Sequence, residues 1–164
     1  MIIYIPKFNY IKDRIFSFFD KETGTHNFQS DKAIESITSG GFFGKGIGEG
    51  TLKNRVPEAH TDYIISVISE EFGVIAIILI LILFLVLIYM VFKKISFETE
   101  EQNKLILIGS VSLILMQATI HIGVNIRLFP TTGMTLPFLS YGGSSIVSTS
   151  ILAGIILNLT KRKI

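Results

Sequence analysis

The segment Lys53-Asn54-Arg55-Val56-Pro57-Glu58-Ala59-His60-Thr61-Asp62 gathers two carboxylates, an imidazole and two cations immediately ahead of a long apolar run. Two carboxylates and an imidazole placed there make a plausible acid/base site. The same residues also suit a solvated helix start, with Thr61 or Asp62 as N-cap and the acidic groups complementing the helix dipole. A zinc centre fits less well, because Glu58, His60 and Asp62 alternate without a second histidine nearby.

Three further groups carry polar chemistry. On a helix beginning near Asp62, Glu70 and Glu71 fall about 12 Å further along, where they either line a wet cavity or mark the edge of the apolar span. Gln117, His121 and Asn125 stand four residues apart, hence on one helical face, which either bonds neighbouring helices or lines a substrate path. The stretch from Pro130 to Ser145 is apolar yet rich in Gly, Pro, Ser and Thr. Backbone of that kind is expected to re-enter the membrane, where protein or a cavity must satisfy its amides. Its Ser140, Gly142, Gly143 and Ser144 suit anion binding or a plain tight turn. The glycine run Gly40 to Gly50 is not a phosphate-binding Walker loop, since no Ser or Thr follows Lys45. Ser144 lacks the Gly-x-Ser-x-Gly frame of a nucleophile elbow.

The elements that must position these groups follow from hydropathy. Nearly half of the 164 residues are apolar and mean hydropathy is +0.56, which disfavours a soluble chain. Val74 to Phe92 is uncharged and long enough, at about 28 Å as a helix, to cross a hydrocarbon core. The expected architecture is an all-α polytopic membrane protein. Transmembrane helices are predicted at about 64–92, 105–126 and 144–160, following a long polar loop or surface segment over residues 7–62. Ile2 to Pro6 is too short to cross a membrane and is expected to end a preceding helix. Lys93, Lys94 and Lys104 in one connection, and Lys161, Arg162 and Lys163 in the tail, place both in the cytoplasm by the positive-inside rule. Residues 7–62 and 127–143 then share the extracytoplasmic face, although the former carry eight Lys or Arg. Mixed charge along the first sixty positions gives no basic tract for nucleic acid. The absence of cysteine excludes disulfides and thiolate metal sites.

Several of these segments, in this order, resemble the C-terminal part of the SEDS family (shape, elongation, division and sporulation). The residues that carry the resemblance are Arg14 to Phe18, Gln29, Gly40 to Gly50, Lys53, Pro57 to Tyr63, Glu70 to Gly73, Gln117 and Pro130 to Ser145. Ala59 between Glu58 and His60 looks more like the division branch than the elongation branch. The resemblance implies the last three helices of a ten-helix peptidoglycan glycosyltransferase in the bacterial cytoplasmic membrane. Such a protein polymerises lipid II, the undecaprenyl-pyrophosphate-linked precursor, with a class B penicillin-binding protein and other division proteins as partners. Asp62 falls on the family's essential loop aspartate and is the expected catalytic base. Lys53, Arg55, Glu58, His60, Gln117, Ser140, Gly142, Gly143 and Ser144 are the expected substrate contacts. A divalent cation, Mg2+ or Mn2+, is a candidate at Asp62 and Glu58; no organic cofactor is implied. His121, Tyr63 and Phe28 depart from the family's usual residues. The competing expectations are a lipid II transporter, an elongation polymerase and an inactive C-terminal fragment.

Overall fold

A computed structural model describes residues 25–56 and 58–161, without the side chains of residues 25–27 and 53. The expectations for Ile2 to Pro6 and Arg14 to Phe18 lie outside the described residues, as do Pro57, Arg162 and Lys163. Among the described residues there are five helices: α1 Thr25–Gly40, α2 Leu52–Arg55, α3 Ile64–Phe97, α4 Glu101–Asn125 and α5 Gly143–Thr160.

Three of these helices are long and apolar enough to span a bilayer: α3, α4 and α5. Their outward faces carry Ile75, Leu79, Leu83, Leu85, Met90, Leu113, Val147 and Ile151, all exposed. So large a continuous apolar surface is untenable in water and ordinary in lipid. The protein is therefore a multi-pass membrane protein built from helices. Between the spans, Val91, Leu107, Val111, Ile114 and Ile156 form a buried core.

The long loop expected over residues 7–62 contains a helix, α1. Its inward face is Ser30, Ala33, Ser36 and Gly40, all buried, and it seats directly against the first turns of α3. Small side chains permit that approach. A Cβ on Gly40 would stand 2.0 Å from the Ser69 carbonyl oxygen. Beside it, Ala33, Leu52, Val56, Ala59, Tyr63, Val67 and Val124 make a second core that joins α1, α2 and the Glu58–Asp62 turn to the start of α3.

As an unbroken rod, the 34 residues of α3 would be about 51 Å long, well beyond a hydrocarbon core of about 30 Å. The helix breaks at Gly73, where φ is 79° and ψ is −179°. Residues 74–97 then cross, and residues 64–72 pack into the cap. Any interrupted helix strands carbonyls behind the break and amides ahead of it. Here the glycine run satisfies both sets. The Glu70 and Glu71 carbonyls accept from Lys45 and Gly46 N–H at 2.8 and 3.1 Å, while Val74 and Ile75 N–H donate to the Gly41 and Phe42 carbonyls at 3.0 and 3.5 Å.

Glu70 fastens the same junction through its side chain. It is 1% exposed and accepts from Lys45 Nζ at 2.8 Å, Thr51 Oγ1 at 3.1 Å and Leu52 N–H at 2.9 Å. It borders a small polar cavity of about 160 Å³ rather than marking a lipid boundary. Glu70→Ala is expected to destabilise the protein by about 1–3 kcal/mol, chiefly by stranding the buried Leu52 amide, because Lys45 is partly solvated. Thermal unfolding in detergent checks this; an unchanged midpoint would contradict it.

At the connection between α3 and α4 the helices run past their predicted ends, while the other ends fall within one residue of the prediction. Only Glu98 to Glu100 separate α3 from α4, because Lys93 and Lys94 remain helical. Lys94 pairs with Glu98 at 3.1 Å and holds that carboxyl below the ordinary carboxylate range through this hydrogen bond. After α4 the chain reverses at Arg127, whose φ is 58° and whose guanidinium bonds Asp31 of α1.

Residues 129–142 contain no helix or strand. Their Leu136 is buried against Ile65 and Ala118, and Pro137 to Leu139 lie beside Ile80, Leu83 and Leu87 of α3. Those positions are about 9–20 Å along the span from Val74, so the segment does dip deeply. Phe138, a bulky residue at φ 67°, marks its strained tip.

Candidate active site

The acidic turn is held by its backbone, which leaves several side chains turned outward. Asp62 and Thr61 N–H donate to the Glu58 carbonyl at 3.0 and 3.2 Å, closing the turn. The next three carbonyls are each taken by another element. His60 accepts from Tyr141 N–H at 3.0 Å, Thr61 from Ser140 Oγ at 2.8 Å, and Asp62 from Asn125 Nδ2 at 2.9 Å. The turn and the re-entrant segment therefore share one side of the membrane, whichever side that is. Glu58 and His60 are exposed and Asp62 is half-buried.

The Asp62 carboxylate faces the re-entrant segment. Its Oδ2 stands 3.8 Å from where a Cβ would sit on Gly133, which has φ 70°. Glycine there meets two demands together: left-handed backbone and an open approach to the carboxylate.

The four-residue stripe on α4 is the frame behind the turn. Asn125 is fully buried; its Nδ2 donates to Asp62 and His121 carbonyls, both at 2.9 Å, and its Oδ1 accepts from Ser66 N–H and Oγ at 3.2 and 2.7 Å. His121 Nε2 lies 3.4 Å from the Thr61 carbonyl, and its Nδ1 lies 3.4 Å from the Asn125 amide. Both contacts agree with a proton on Nε2, a tautomer assigned from this network. Gln117 Nε2 donates to the Thr135 carbonyl at 2.9 Å and to Ser145 Oγ at 3.0 Å, tying the re-entrant segment to α5. Ser140 Oγ also accepts from Leu136 N–H at 2.8 Å, so this buried hydroxyl is fully engaged.

The remaining candidates are more dispersed. Gly142 and Gly143 open α5, and Ser144 is exposed on its first turn. Arg55 is 3.9 Å from Glu35 and borders a polar cavity of about 160 Å³ with Lys32, Lys45 and Glu70. The Lys53 side chain lies outside the described residues. Sequence reasoning missed Ser66, and reached Gly133, Thr135 and Ser145 only as members of the run from Pro130 to Ser145. The glycine is one of many, and the other three acquire their partners only through tertiary contact. Among the described residues no three His, Cys, Asp or Glu side chains gather as a metal site.

Three membrane-spanning helices, a re-entrant loop and an acidic turn clamped between them define a class of polytopic membrane protein with a surface carboxylate at the bilayer boundary. The chain belongs to the FtsW/RodA/SpoVE family, whose model, described as cell cycle protein, matches residues 1–164. It is 41% identical over 138 residues to the Probable peptidoglycan glycosyltransferase FtsW of Enterococcus hirae, covering 84% of this chain and 35% of that protein. Stage V sporulation protein E of Bacillus subtilis is 38% identical over 135 residues, covering 82% of this chain and 37% of that protein. A solved structure described as "Structural coordination of polymerization and crosslinking by a peptidoglycan synthase complex" superposes with a TM-score of 0.70 at 28% identity, over 92% of this chain and 41% of that one. The chain thus spans well under half the length of these relatives.

Proposed function

We propose that this chain supplies the catalytic carboxylate of a peptidoglycan glycosyltransferase that polymerises lipid II at the outer face of the bacterial cytoplasmic membrane during division. The observation that carries the reading is the placement of Asp62. Its main chain is locked by Asn125 and its side chain is left half-exposed against Gly133. In the reaction a sugar 4-hydroxyl attacks an anomeric carbon. The new glycosidic bond forms as the bond to the lipid pyrophosphate breaks, and the hydroxyl proton passes to Asp62.

Arg55 and Lys53 are assigned to the departing pyrophosphate, where positive charge lowers the barrier. Glu58, His60, Ser144 and the Gly142–Gly143 backbone are assigned to substrate contact, whereas Gln117 and Ser140, whose Nε2 and Oγ are engaged within the fold, act by holding the loop. Mg2+ or Mn2+ would take Asp62 and Glu58 as its carboxylate ligands, with substrate phosphate and water completing the shell, and would supply further charge for the pyrophosphate. The outward orientation rests on the lysines of the α3–α4 connection and the tail. A class B penicillin-binding protein and other division proteins are the proposed partners.

The transporter reading draws no support from the α4 stripe, since Gln117 Nε2, His121 Nε2 and the Asn125 amide all contact protein. Purified full-length protein incubated with lipid II and its penicillin-binding partner is expected to yield glycan strands on a gel. Lipid II translocation in proteoliposomes with no polymer formed would contradict the proposal.

A further inference from the structure

At the end of the molecule opposite Asp62, α3 and α5 border an open apolar trough of about 670 Å³. Its walls include Leu83, Met90, Phe97, Ala153 and Leu157, and its floor is Ile114 of α4. The trough opens at Lys94 and Phe97 into a polar compartment of about 690 Å³, which also contains Lys161, Asn103 and Asn158. Each volume falls within the range of about 300–1,000 Å³ usual for ligand sites. An apolar chamber joined end to end with a polar one has the outline of an amphiphile.

Length and charge narrow the occupant. From Leu83 to Phe97 the trough runs about 21 Å along α3, at 1.5 Å per residue. That equals one leaflet with its headgroups, about half of 40–45 Å, and is too short for a crossing helix. The trough stops near mid-membrane because the re-entrant tip, Pro137 to Leu139, lies beside Leu83 and Leu87 on the same helix. Around the mouth stand Lys93, Lys94 and Lys161. Glu98, paired with Lys94 at 3.1 Å, is the one acidic side chain lining either chamber among the described residues. The excess of ammonium groups at headgroup depth favours an anion there.

We propose that the α3–α5 trough and its lysine mouth bind one anionic glycerophospholipid of the leaflet opposite Asp62. An acyl chain lies along Met90 and Leu157, and the phosphate sits between Lys94 and Lys161. The site is separate from the acidic turn and does not depend on the reaction assigned to it.

Native mass spectrometry of the purified full-length protein, equilibrated with equimolar phosphatidylglycerol and phosphatidylcholine, tests the assignment. The expected result is retention of phosphatidylglycerol about tenfold over phosphatidylcholine. That preference should disappear in the Lys94→Gln, Lys161→Gln double variant, and Ala153→Trp, which fills the trough, should reduce retention of both lipids. Equal retention of the two lipids by the unaltered protein would overturn the proposal. So would a preference that survives both variants, or a photo-crosslinker at Met90 that captures protein in place of lipid.

Discussion

Asp62→Asn is expected to lower glycan-strand synthesis by about 10²- to 10⁴-fold, the usual contribution of a positioned general base. The substitution keeps the volume of the side chain and leaves untouched the contacts that fix the turn. Those contacts reach the carbonyls of His60, Thr61 and Asp62. Folding and membrane insertion should therefore be retained, and the loss should appear in turnover more than in lipid II affinity. Asp62→Glu, which restores a carboxylate one methylene further out, should recover part of the rate. Undiminished polymer from Asp62→Asn would remove Asp62 from the chemistry, and a parallel loss of folded protein would reassign it to structure. A gel of glycan strands together with a thermal unfolding curve separates these outcomes.

The second large effect falls on stability. Gly73→Ala would place a Cβ 2.1 Å from the Phe42 carbonyl oxygen at a residue whose φ is 79°. Neither the left-handed backbone nor the contact can be relieved by a rotamer change, because the obstacle is main chain. The glycine run must move away, and the Val74 and Ile75 amides then lose their acceptors. Backbone strain of about 1–3 kcal/mol and two lost capping bonds of about 1 kcal/mol each set the expected loss at about 3 kcal/mol or more. Gly109→Ala is the matched control, since its added Cβ would meet no atom within 4 Å and it sits in an uninterrupted helix. That variant should be neutral or slightly stabilising. Equal midpoints for Gly73→Ala and the unaltered protein would show that the helix break is not maintained by the glycine.

What the sequence disclosed, and what it hid, follows from how local each signal is. The apolar run from Val74 announced a span, and the Gln117, His121 and Asn125 spacing announced one polar face, since both patterns lie within a single helix. The end of α3 was hidden, because lysines at a helix terminus can extend their ammonium groups to water while the backbone stays helical, as at Lys93 and Lys94. Helix α1 was hidden for a different reason. Its buried face consists of Ser30, Ala33, Ser36 and Gly40, which look polar or neutral in a hydropathy pattern yet serve close packing well.

The break at Gly73 was masked because a lone glycine is tolerated within a helical pattern, and only the distant glycine run explains it. Glu70 meets Lys45 across twenty-five positions of chain, a pairing that no local spacing expresses. In the site, residue types pointed to the cluster of Glu58, His60 and Asp62, and the family resemblance to Asp62 within it, whereas its docking against Gly133 depends on a re-entrant path that the sequence suggested only through its glycines and prolines.

The claim beneath the proposed chemistry is that the acidic turn faces the exterior of the cytoplasmic membrane, where lipid-linked sugars arrive. This chain contains no cysteine, so cysteines introduced at Asp62 and at the more exposed Glu58 can be read without background from it. A membrane-impermeant maleimide applied to intact spheroplasts is predicted to label both positions. Labelling that occurs only when the reagent is admitted to the cytosol would contradict the account.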